Sequence, residues 1–315
     1  MSDRYDLAIV GGGPPRPAGP AAAIYAARKQ LKTVFLTMEW GGQSTVSTEI
    51  QNWVGTPKIT GAELAGNLRK HVEEYKGEFL EVRSPAEATG LKVSDDRVEI
   101  TTKKGEMVSA SAVLIASGAQ RRKLDIPGAA EFDQKGLTYC ASCDGPLFAG
   151  QDVVVVGGGN AAFETSLQLL AYCKTVTLVN RSDKFRADEI TVAAAKSHPN
   201  MRIIANVEPV AVEGSQFVTG FKYKNVQTGE VTTLPVAGIF VEIGLIPNSS
   251  WVGDTLEKNA IGQIKVDPRT QRASHKRVWA AGDITDGVYH QNNIAAGDAV
   301  KALEDVYMFL RKNKA

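Results

Sequence analysis

The chain repeats one local pattern, a short apolar strand that runs directly into a glycine turn and then into an alanine-rich helix. Leu7–Val10 runs into Gly11-Gly12-Gly13, and Val153–Val156 runs into Gly157-Gly158-Gly159. A second apolar strand follows the helix in both places, so each copy is the strand–turn–helix–strand opening of a dinucleotide-binding fold. The repeat predicts two nucleotide-binding domains of similar plan rather than one long sheet.

Each copy is followed later by alternating, turn-punctuated sequence that predicts a small antiparallel meander, from Val98 to Val108 and from Phe217 to Leu234. Each meander leads to an apolar strand with a terminal glycine, Ala112 to Gly118 and Gly238 to Gly244. We therefore predict an α/β fold of two Rossmann-like dinucleotide-binding domains of the three-layer ββα/βαβ type, each with its own meander.

The order of these segments predicts that one domain is nested inside the other. Val278 to Asp283 has the pattern of a closing strand and site for the first domain. We assign residues 1–119 and 248–315 to that discontinuous first domain and residues 120–247 to the second. Two crossing strands would connect the domains as a hinge.

The charge and cysteine content exclude several classes of protein. Among 315 residues, 36 Lys and Arg nearly balance 35 Asp and Glu, which argues against a nucleic-acid partner or an anionic membrane, since both need clustered basic residues. No stretch approaches the roughly 20 apolar residues of a membrane helix, and no apolar signal core precedes the first strand. We expect a cytoplasmic protein, in which the few cysteines serve chemistry rather than a disulfide scaffold.

The second glycine turn has the sequence context of a pyrophosphate site. Gly157-Gly158-Gly159-Asn160-Ala161 follows a strand and opens a helix. Glycines allow the backbone to approach a phosphate closely, and the helix start offers unpaired N–H donors and the positive end of its dipole. A tight strand–helix turn without a ligand is the alternative.

The first glycine turn departs from this pattern. Gly11-x-Gly13 is followed by the next glycine only at Gly19, because Pro14-Pro15-Arg16-Pro17-Ala18 intervenes. Proline has no N–H to donate, so the inserted run cannot form the usual amide cradle. Either the extra residues bulge out before the helix or pyrophosphate binding is weakened, and Arg16 is either an exposed loop residue or a phosphate ligand.

A Cys-x-x-Cys pair, Cys140 and Cys143, is the strongest chemical signal. Residues three apart on a helical turn lie about 5–6 Å apart, within the Cα separation that a disulfide accepts, so the pair can cycle between dithiol and disulfide. Asp144 follows directly and can exchange a proton with a thiol. A zinc site is the alternative, but it needs four ligands and the chain offers no second Cys pair, so we predict no metal. Cys173, in an apolar run, is expected to be an inert buried thiol.

The run Cys140-Ala141-Ser142-Cys143-Asp144-Gly145, followed by a strand and Gly-Gly-Gly-Asn-Ala-Ala, resembles the low-molecular-weight thioredoxin reductases. The segments Thr37–Gln43, Glu49–Trp53 and Ala281–Asp283 are similar to flavin-binding segments of that family. Cys-Asp-Gly-Pro-Leu-Phe also resembles the flavoprotein of alkyl hydroperoxide reductase, a close relative that carries extra N-terminal thioredoxin-like domains.

The resemblance implies FAD in the first domain, NADPH or NADH in the second, and a homodimer. It implies that Cys143 lies nearest the flavin and that Cys140 attacks the disulfide of a thioredoxin-like partner. It implies FAD contacts from Gly11, Gly13, Gly19, Thr37, Glu39, Gly41, Gly42, Gln43, Asn52, Asp283, His290, Gln291 and Asn292. It implies NAD(P)H contacts from Gly157, Gly159, Asn160, Ala161, Arg181 and Arg186.

Both the disulfide and the nicotinamide of the second domain must reach the same flavin. They are too close along the chain to face it in one arrangement. We therefore expect the second domain to rotate about the hinge strands, near residues 118–124 and 244–249.

Two departures from the family concern the electron donor. Ser182 stands where the family has the middle of three arginines, and His290 stands where it has an arginine. We predict an FAD-dependent disulfide oxidoreductase that reduces thioredoxin-like proteins with electrons from NAD(P)H. Two alternatives remain, the same chemistry with a ferredoxin or deazaflavin donor, and a flavin-bound redox sensor without turnover.

Overall fold

The computed structural model describes residues 4–11, 17–38, 40 and 50–314. Backbone proximity divides the chain into two compact units. Unit 1 comprises Met1–Gln120 and Ile246–Ala315, and unit 2 comprises Arg121–Leu245. The chain passes between the units in β7 (Ala119–Arg121) and β16 (Leu245–Pro247), which form a two-stranded sheet of their own.

Unit 1 is built on one mixed sheet. Its elements are β1 (Tyr5–Val10), α1 (Ala18–Arg28), β2 (Thr33–Leu36), α2 (Gly61–Glu74), β3 (Leu80–Arg83), β4 (Ala88–Val93), β5 (Val98–Thr102), β6 (Met107–Ile115), β17 (Val278–Ala280) and α6 (Asn292–Lys314), with a 3₁₀ turn at Ser250–Val252. The strand order is β3-β2-β1-β6-β5-β4, with β17 paired to β6. Strands β1, β2, β3, β6 and β17 are parallel, and β4 and β5 add an antiparallel meander.

The strand expected from Ala112 to Gly118 is not separate from the meander that precedes it. One continuous strand, β6, runs from Met107 to Ile115. Its residues alternate between buried and partly exposed through the meander and then become fully buried. The strand can therefore pair with β5 along its first part and with β1 and β17 along its apolar part, and no turn is needed between them.

Helices α1 and α6 cover one face of the sheet of unit 1. Alanines of α1 and small or apolar residues of α6 pack on Leu7, Ile9, Phe35 and Trp279. Trp279 is completely buried, and its indole N–H donates to Asp305 on α6 at 2.9 Å. This contact anchors the last helix of the chain on the last strand of the sheet.

Unit 2 has a parallel sheet in the order β11-β10-β9-β15-β8 and a separate antiparallel sheet β12-β13-β14. Its elements are β8 (Leu137–Thr138), α3 (Ala141–Asp144), a 3₁₀ turn (Gly145–Phe148), β9 (Asp152–Val156), α4 (Asn160–Leu170), β10 (Thr175–Val179), α5 (Glu189–Ser197), β11 (Met201–Ile204), β12 (Val207–Gly214), β13 (Val218–Asn225), β14 (Val231–Pro235) and β15 (Gly238–Val241). The strands β9, β10 and β15 are almost wholly buried and mostly apolar, as expected for a parallel sheet covered on both faces. None of the described helices, in either unit, combines the length and the apolar character that a membrane crossing needs.

The same close backbone contact occurs at the reversal of strand order in each unit. Gly11 follows β1 and has φ +84°, and Gly157 follows β9 and has φ +149°. A Cβ on Gly11 would overlap the backbone of Ser117, and a Cβ on Gly157 would overlap the carbonyl oxygen of Glu242. Only glycine allows these strand ends to approach their neighbours so closely.

We predict that Gly157→Ala destabilises the protein by about 1–3 kcal/mol, the usual cost of a strained backbone, with further loss from the overlap with Glu242. Gly159→Ala is the matched control, because Gly159 has no atom within 4 Å of a Cβ position and no positive φ. Urea unfolding monitored by circular dichroism measures both. An equal loss in the two variants would contradict the close contact.

Candidate active site

Cys140 and Cys143 are joined in a disulfide at the start of α3, with Cα atoms 5.3 Å apart. Cys140 has extended backbone and is the residue before the helix, and its Sγ accepts a hydrogen bond from the N–H of Cys143 at 3.2 Å. Both residues are half-buried. The helix start therefore directs an N–H group at the sulfur of Cys140, which stabilises negative charge there when the pair is reduced.

Asp144 is the last residue of α3, and its carboxyl group accepts a hydrogen bond from the hydroxyl of Thr138. Burial raises the pKa of Asp144 above the ordinary value of a carboxyl group, and the hydrogen bond from Thr138 only partly opposes that shift. Asp144 therefore keeps its proton to a higher pH than an exposed aspartate. Thr138, at the end of β8, is a site residue that the sequence analysis missed.

The segment after Asp144 is packed without spare room. A Cβ on Gly145 would overlap the hydroxyl group of Tyr172. That hydroxyl is buried. Cys173 is buried, and burial raises the pKa of its thiol to about 11, so it is the inert thiol that we expected.

The glycine turn of unit 2 lies against the loop that follows β10. The N–H of Arg186 donates to the carbonyl of Gly158 at 2.8 Å, and the N–H of Asp188 donates to the side-chain oxygen of Asn160 at 2.7 Å. Helix α4 begins at Asn160 without a side-chain cap, which leaves its first N–H groups available to a ligand. The structure thus brings Arg186 to the turn formed by Gly157, Gly159, Asn160 and Ala161.

Arg181 and Arg186 are exposed and form no ion pair with any residue that the structure describes. Ser182 lies between them, and its hydroxyl accepts a hydrogen bond from the N–H of Lys184 at 3.0 Å. Its carbonyl accepts a hydrogen bond from Asn180 at 2.7 Å, so the loop is tied to the end of β10. Two exposed guanidinium groups and one hydroxyl therefore lie on the loop beside the glycine turn.

In unit 1 the structure brings together four of the residues expected to contact FAD. The side chains of Asn52 and Gln291 are hydrogen-bonded at 3.3 Å, and Asn293 donates to the carbonyl of Asn52 at 2.7 Å. His290 Nδ1 lies 3.4 Å from Asp283 Oδ1. Gln291 directly precedes α6, which begins at Asn292, and Asp283 directly follows the positive-φ Gly282 after β17.

The other expected FAD contacts fall into two groups. Gly11 lies at the end of β1, Thr37 is buried at the end of β2 and Gly19 is buried in α1. The expected contacts Gly13, Glu39, Gly41, Gly42 and Gln43 lie outside the described residues, as do Pro14, Pro15 and Arg16 of the first turn. A cavity of about 650 Å³, the size of a small-molecule site, lies beyond the ends of β2 and β3. Thr102 lines it, and the Thr102 hydroxyl is buried without a partner among the described residues.

Comparison with known proteins identifies the relatives of the chain. It is 37% identical over 313 residues to an alkyl hydroperoxide reductase subunit of Escherichia coli, a match that covers 99% of this chain and 59% of that protein. It is 36% identical over 309 residues to a Bacillus subtilis protein named NADH dehydrogenase, covering 98% of this chain and 59% of that one. The structure of thioredoxin reductase from Giardia duodenalis matches with a TM-score of 0.92 at 33% identity, over 98% of this chain and 100% of that one.

The chain thus spans about three fifths of the curated relatives named here. These matches confirm the resemblance to the low-molecular-weight thioredoxin reductases and the α/β fold with two Rossmann-like domains. The sequence profile of the pyridine nucleotide-disulphide oxidoreductases, FAD-binding enzymes that use NAD(P)H, matches residues 5–299. The chain therefore belongs to the pyridine nucleotide-disulphide oxidoreductase family.

Proposed function

We propose that this protein is an FAD-dependent disulfide oxidoreductase that passes electrons from NADH or NADPH to a thioredoxin-like protein through Cys140 and Cys143. The observation that carries the proposal is the disulfide at the start of α3, with the half-buried acid Asp144 at the end of the same helix. The disulfide belongs to the unit that also contains the intact glycine turn. A redox pair and a nucleotide turn in one unit suit a protein that connects two electron carriers.

Unit 1 would hold the FAD. Its pyrophosphate would lie at the turn after Gly11, and Asp283, Gln291 and Asn52 would contact the remainder of the molecule. The cavity lies beyond the carboxyl ends of the parallel strands β2 and β3, where nucleotides bind in such sheets, and the buried, unpaired hydroxyl of Thr102 lines it from the antiparallel strand β5. When bound, FAD supplies the two-electron exchange between the nicotinamide and the disulfide.

The exchange with the partner follows from the chemistry of the Cys pair. In the reduced state the thiolate of Cys140 attacks one sulfur of the partner disulfide, forms a mixed disulfide and expels a thiolate, which takes a proton. Cys143 then attacks the sulfur of Cys140, so that the mixed disulfide breaks and the Cys140–Cys143 bond forms again. Two electrons leave the pair, and the partner gains two thiols.

Asp144 is suited to supply the proton in this exchange. Because burial raises its pKa, a fraction of the carboxyl groups stays protonated at a pH where an exposed aspartate is ionised. The hydroxyl of Thr138 orients the carboxyl group. Asp144 would thus protonate the leaving thiolate and recover the proton when the pair is next reduced.

The donor site supports weak discrimination between NADH and NADPH. Arg181 and Arg186 flank the loop after β10, but Ser182 cannot form the charged hydrogen bonds that a third arginine would give a 2′-phosphate. One relative is named an NADH dehydrogenase, which supports NADH as a donor. The near-neutral charge and the reducible cysteine pair support a cytoplasmic location, and we extend the proposal to a homodimer, the assembly that the resemblance implies.

The central test mixes the oxidised holoprotein with NADPH or NADH in a stopped-flow instrument and follows the loss of flavin absorbance. We expect rapid bleaching with at least one nucleotide, and equally in wild type and Cys143→Ser, because the donor reaches the flavin without the disulfide. Reduction of a thioredoxin disulfide should be lost in Cys143→Ser and retained in the control Cys173→Ser, whose thiol is buried. A flavin that stays oxidised would contradict the donor, and an active Cys143→Ser would contradict the dithiol mechanism.

Asp144→Asn should slow the reduction of a thioredoxin by roughly 10²–10⁴, the usual contribution of a positioned acid–base group. The wild-type rate of the exchange step should fall as pH rises through the raised pKa of Asp144, because the proton donor is then lost. The Asn variant has no such proton, so that limb of its pH profile should be absent. Rapid-quench measurement of the mixed disulfide across pH checks this, and an unchanged rate and profile would reduce Asp144 to a helix-end residue.

Ser182→Arg should raise NADPH efficiency over NADH. A charged hydrogen bond contributes about 1.5–3 kcal/mol, which corresponds to roughly tenfold to a hundredfold in affinity. Reduction of thioredoxin by the prereduced enzyme should not change, because the loop lies outside the disulfide exchange. Steady-state kcat/KM for both nucleotides measures the ratio, and an unchanged ratio would show that Ser182 does not face the 2′-phosphate.

A further inference from the structure

A buried carboxylate lies at the reversal of strand order in unit 2. Glu242 directly follows β15, and its side chain is only 5% exposed. Oε1 accepts a hydrogen bond from the hydroxyl of Thr165 at 3.0 Å, and Oε2 accepts one from Nη1 of Arg121 at 2.9 Å. All three residues belong to unit 2.

Packing alone does not account for this charge. Burial raises the pKa of Glu242, so the carboxylate is costly there, and the positive charge of Arg121 opposes the shift. Replacing a buried ion pair with apolar residues is often neutral or stabilising. The pair does, however, hold a guanidinium group in one place, and only one of the five N–H donors of Arg121 has a partner among the described residues. The Arg121 side chain is 27% exposed, so its other donors can reach a ligand.

Glu242 contacts the glycine turn of unit 2. The carbonyl oxygen of Glu242 lies directly against Gly157, and its N–H donates to Val156 at 2.8 Å. Thr165 belongs to α4, the helix that begins at the turn. The carboxylate is therefore connected to both sides of the turn, to the strand end before it and to the helix after it.

The position of Arg121 relative to the sheet indicates which half of a bound dinucleotide it would contact. In this type of fold the pyrophosphate lies at the turn after the first strand, here β9, and the adenosine ribose lies near the end of the second strand, here β10. The other half of the molecule must extend to the opposite side of β9. That side is occupied by β15, which ends at Val241, one residue before Glu242.

We propose that Arg121, held by Glu242, binds the phosphate of the nicotinamide half of NADH and NADPH alike. Arg121 is the ligand-binding residue, and Glu242 is a positioning residue that acts through it. A guanidinium group suits this task because it presents several fixed N–H donors to phosphate oxygens. The inference rests on the proposed nicotinamide donor and adds a contact that does not distinguish the two nucleotides.

Calorimetric titration of the oxidised holoenzyme tests this directly, because NAD⁺ and NADP⁺ bind without reducing the flavin. The double variant Arg121→Gln/Glu242→Gln removes both charges and leaves neither unpaired. It should bind NAD⁺ and NADP⁺ more weakly by the same factor, roughly tenfold to a hundredfold for one charged hydrogen bond. Binding of 2′,5′-ADP, which lacks the nicotinamide half, should not change. Arg122→Gln, an exposed neighbour on the chain, is the matched control and should bind all three probes as wild type does.

Two further variants separate positioning from mere stability. Glu242→Gln alone should weaken both nucleotides, yet it should add no loss when Arg121 is already Gln, because Glu242 acts only through Arg121. Arg121→Lys keeps a cation for Glu242 but loses the forked donors, and it should weaken both nucleotides even if the double variant does not fold.

Three results would overturn the inference. Unchanged affinity in the double variant or in Arg121→Lys removes Arg121 from the site. An equal loss of 2′,5′-ADP binding would indicate a distorted turn rather than a lost phosphate contact. Wild type that binds neither NAD⁺ nor NADP⁺ would overturn the nicotinamide donor and this contact together, whereas the first two results leave the donor standing.

Discussion

The contact of a glycine with the neighbouring strand end is the constraint on which both units depend. At Gly11 and at Gly157 the backbone of one strand end lies where any side chain would overlap the next strand. This approach allows the chain to turn at once from the strand into a helix that packs back on the sheet. In unit 2 the turn that leads into α4 therefore lies directly against Glu242, the residue that follows β15.

The redox pair depends on a different kind of local order. Helix α3 is a single turn, too short to be stable by propensity, and it is held by its surroundings. The disulfide links Cys140, the residue before the helix, to Cys143 within it, and Thr138 donates a hydrogen bond to its last residue. The hydroxyl of Tyr172 lies where a Cβ on Gly145 would be, so the backbone after the helix packs closely against Tyr172. Burial, rather than a charged neighbour, raises the pKa of Asp144 at the end of this turn, and the hydrogen bond from Thr138 partly opposes that shift.

The sequence predicted those features that arise from short stretches of chain. The strands before both glycine turns, the helices after them and the Cys pair on a helical turn all follow from local pattern, and the structure has them within a few residues. The expected strand from Ala112 to Gly118 has other bounds, because β6 begins at Met107 and continues through Ala112 by changing partners rather than direction. Which strands pair with one another is decided by the whole sheet, so the sequence of a single strand gives little indication of its partners.

Contacts between distant residues could not be predicted. No sequence pattern around Thr138 predicts its hydrogen bond to Asp144, and no pattern around Arg121 predicts its ion pair with Glu242. A single charged residue directly after the apolar strand β15 was the only available signal, and it does not name its partner. The reverse holds for the first glycine turn. Its inserted prolines are evident in the sequence, but residues 12–16 lie outside the described structure.

The nesting of the units has a consequence for synthesis on the ribosome. Unit 2 is one continuous segment, and all its strands have emerged once Leu245 leaves the exit tunnel. Unit 1 starts earlier but finishes last, because β17 and α6 are needed to cover Leu7, Ile9 and the alanines of α1. The growing chain thus carries an uncovered apolar face through the whole time in which unit 2 is made. We expect unit 2 to fold first although it is encoded second, and we expect the nascent first segment to be the part that a chaperone must protect.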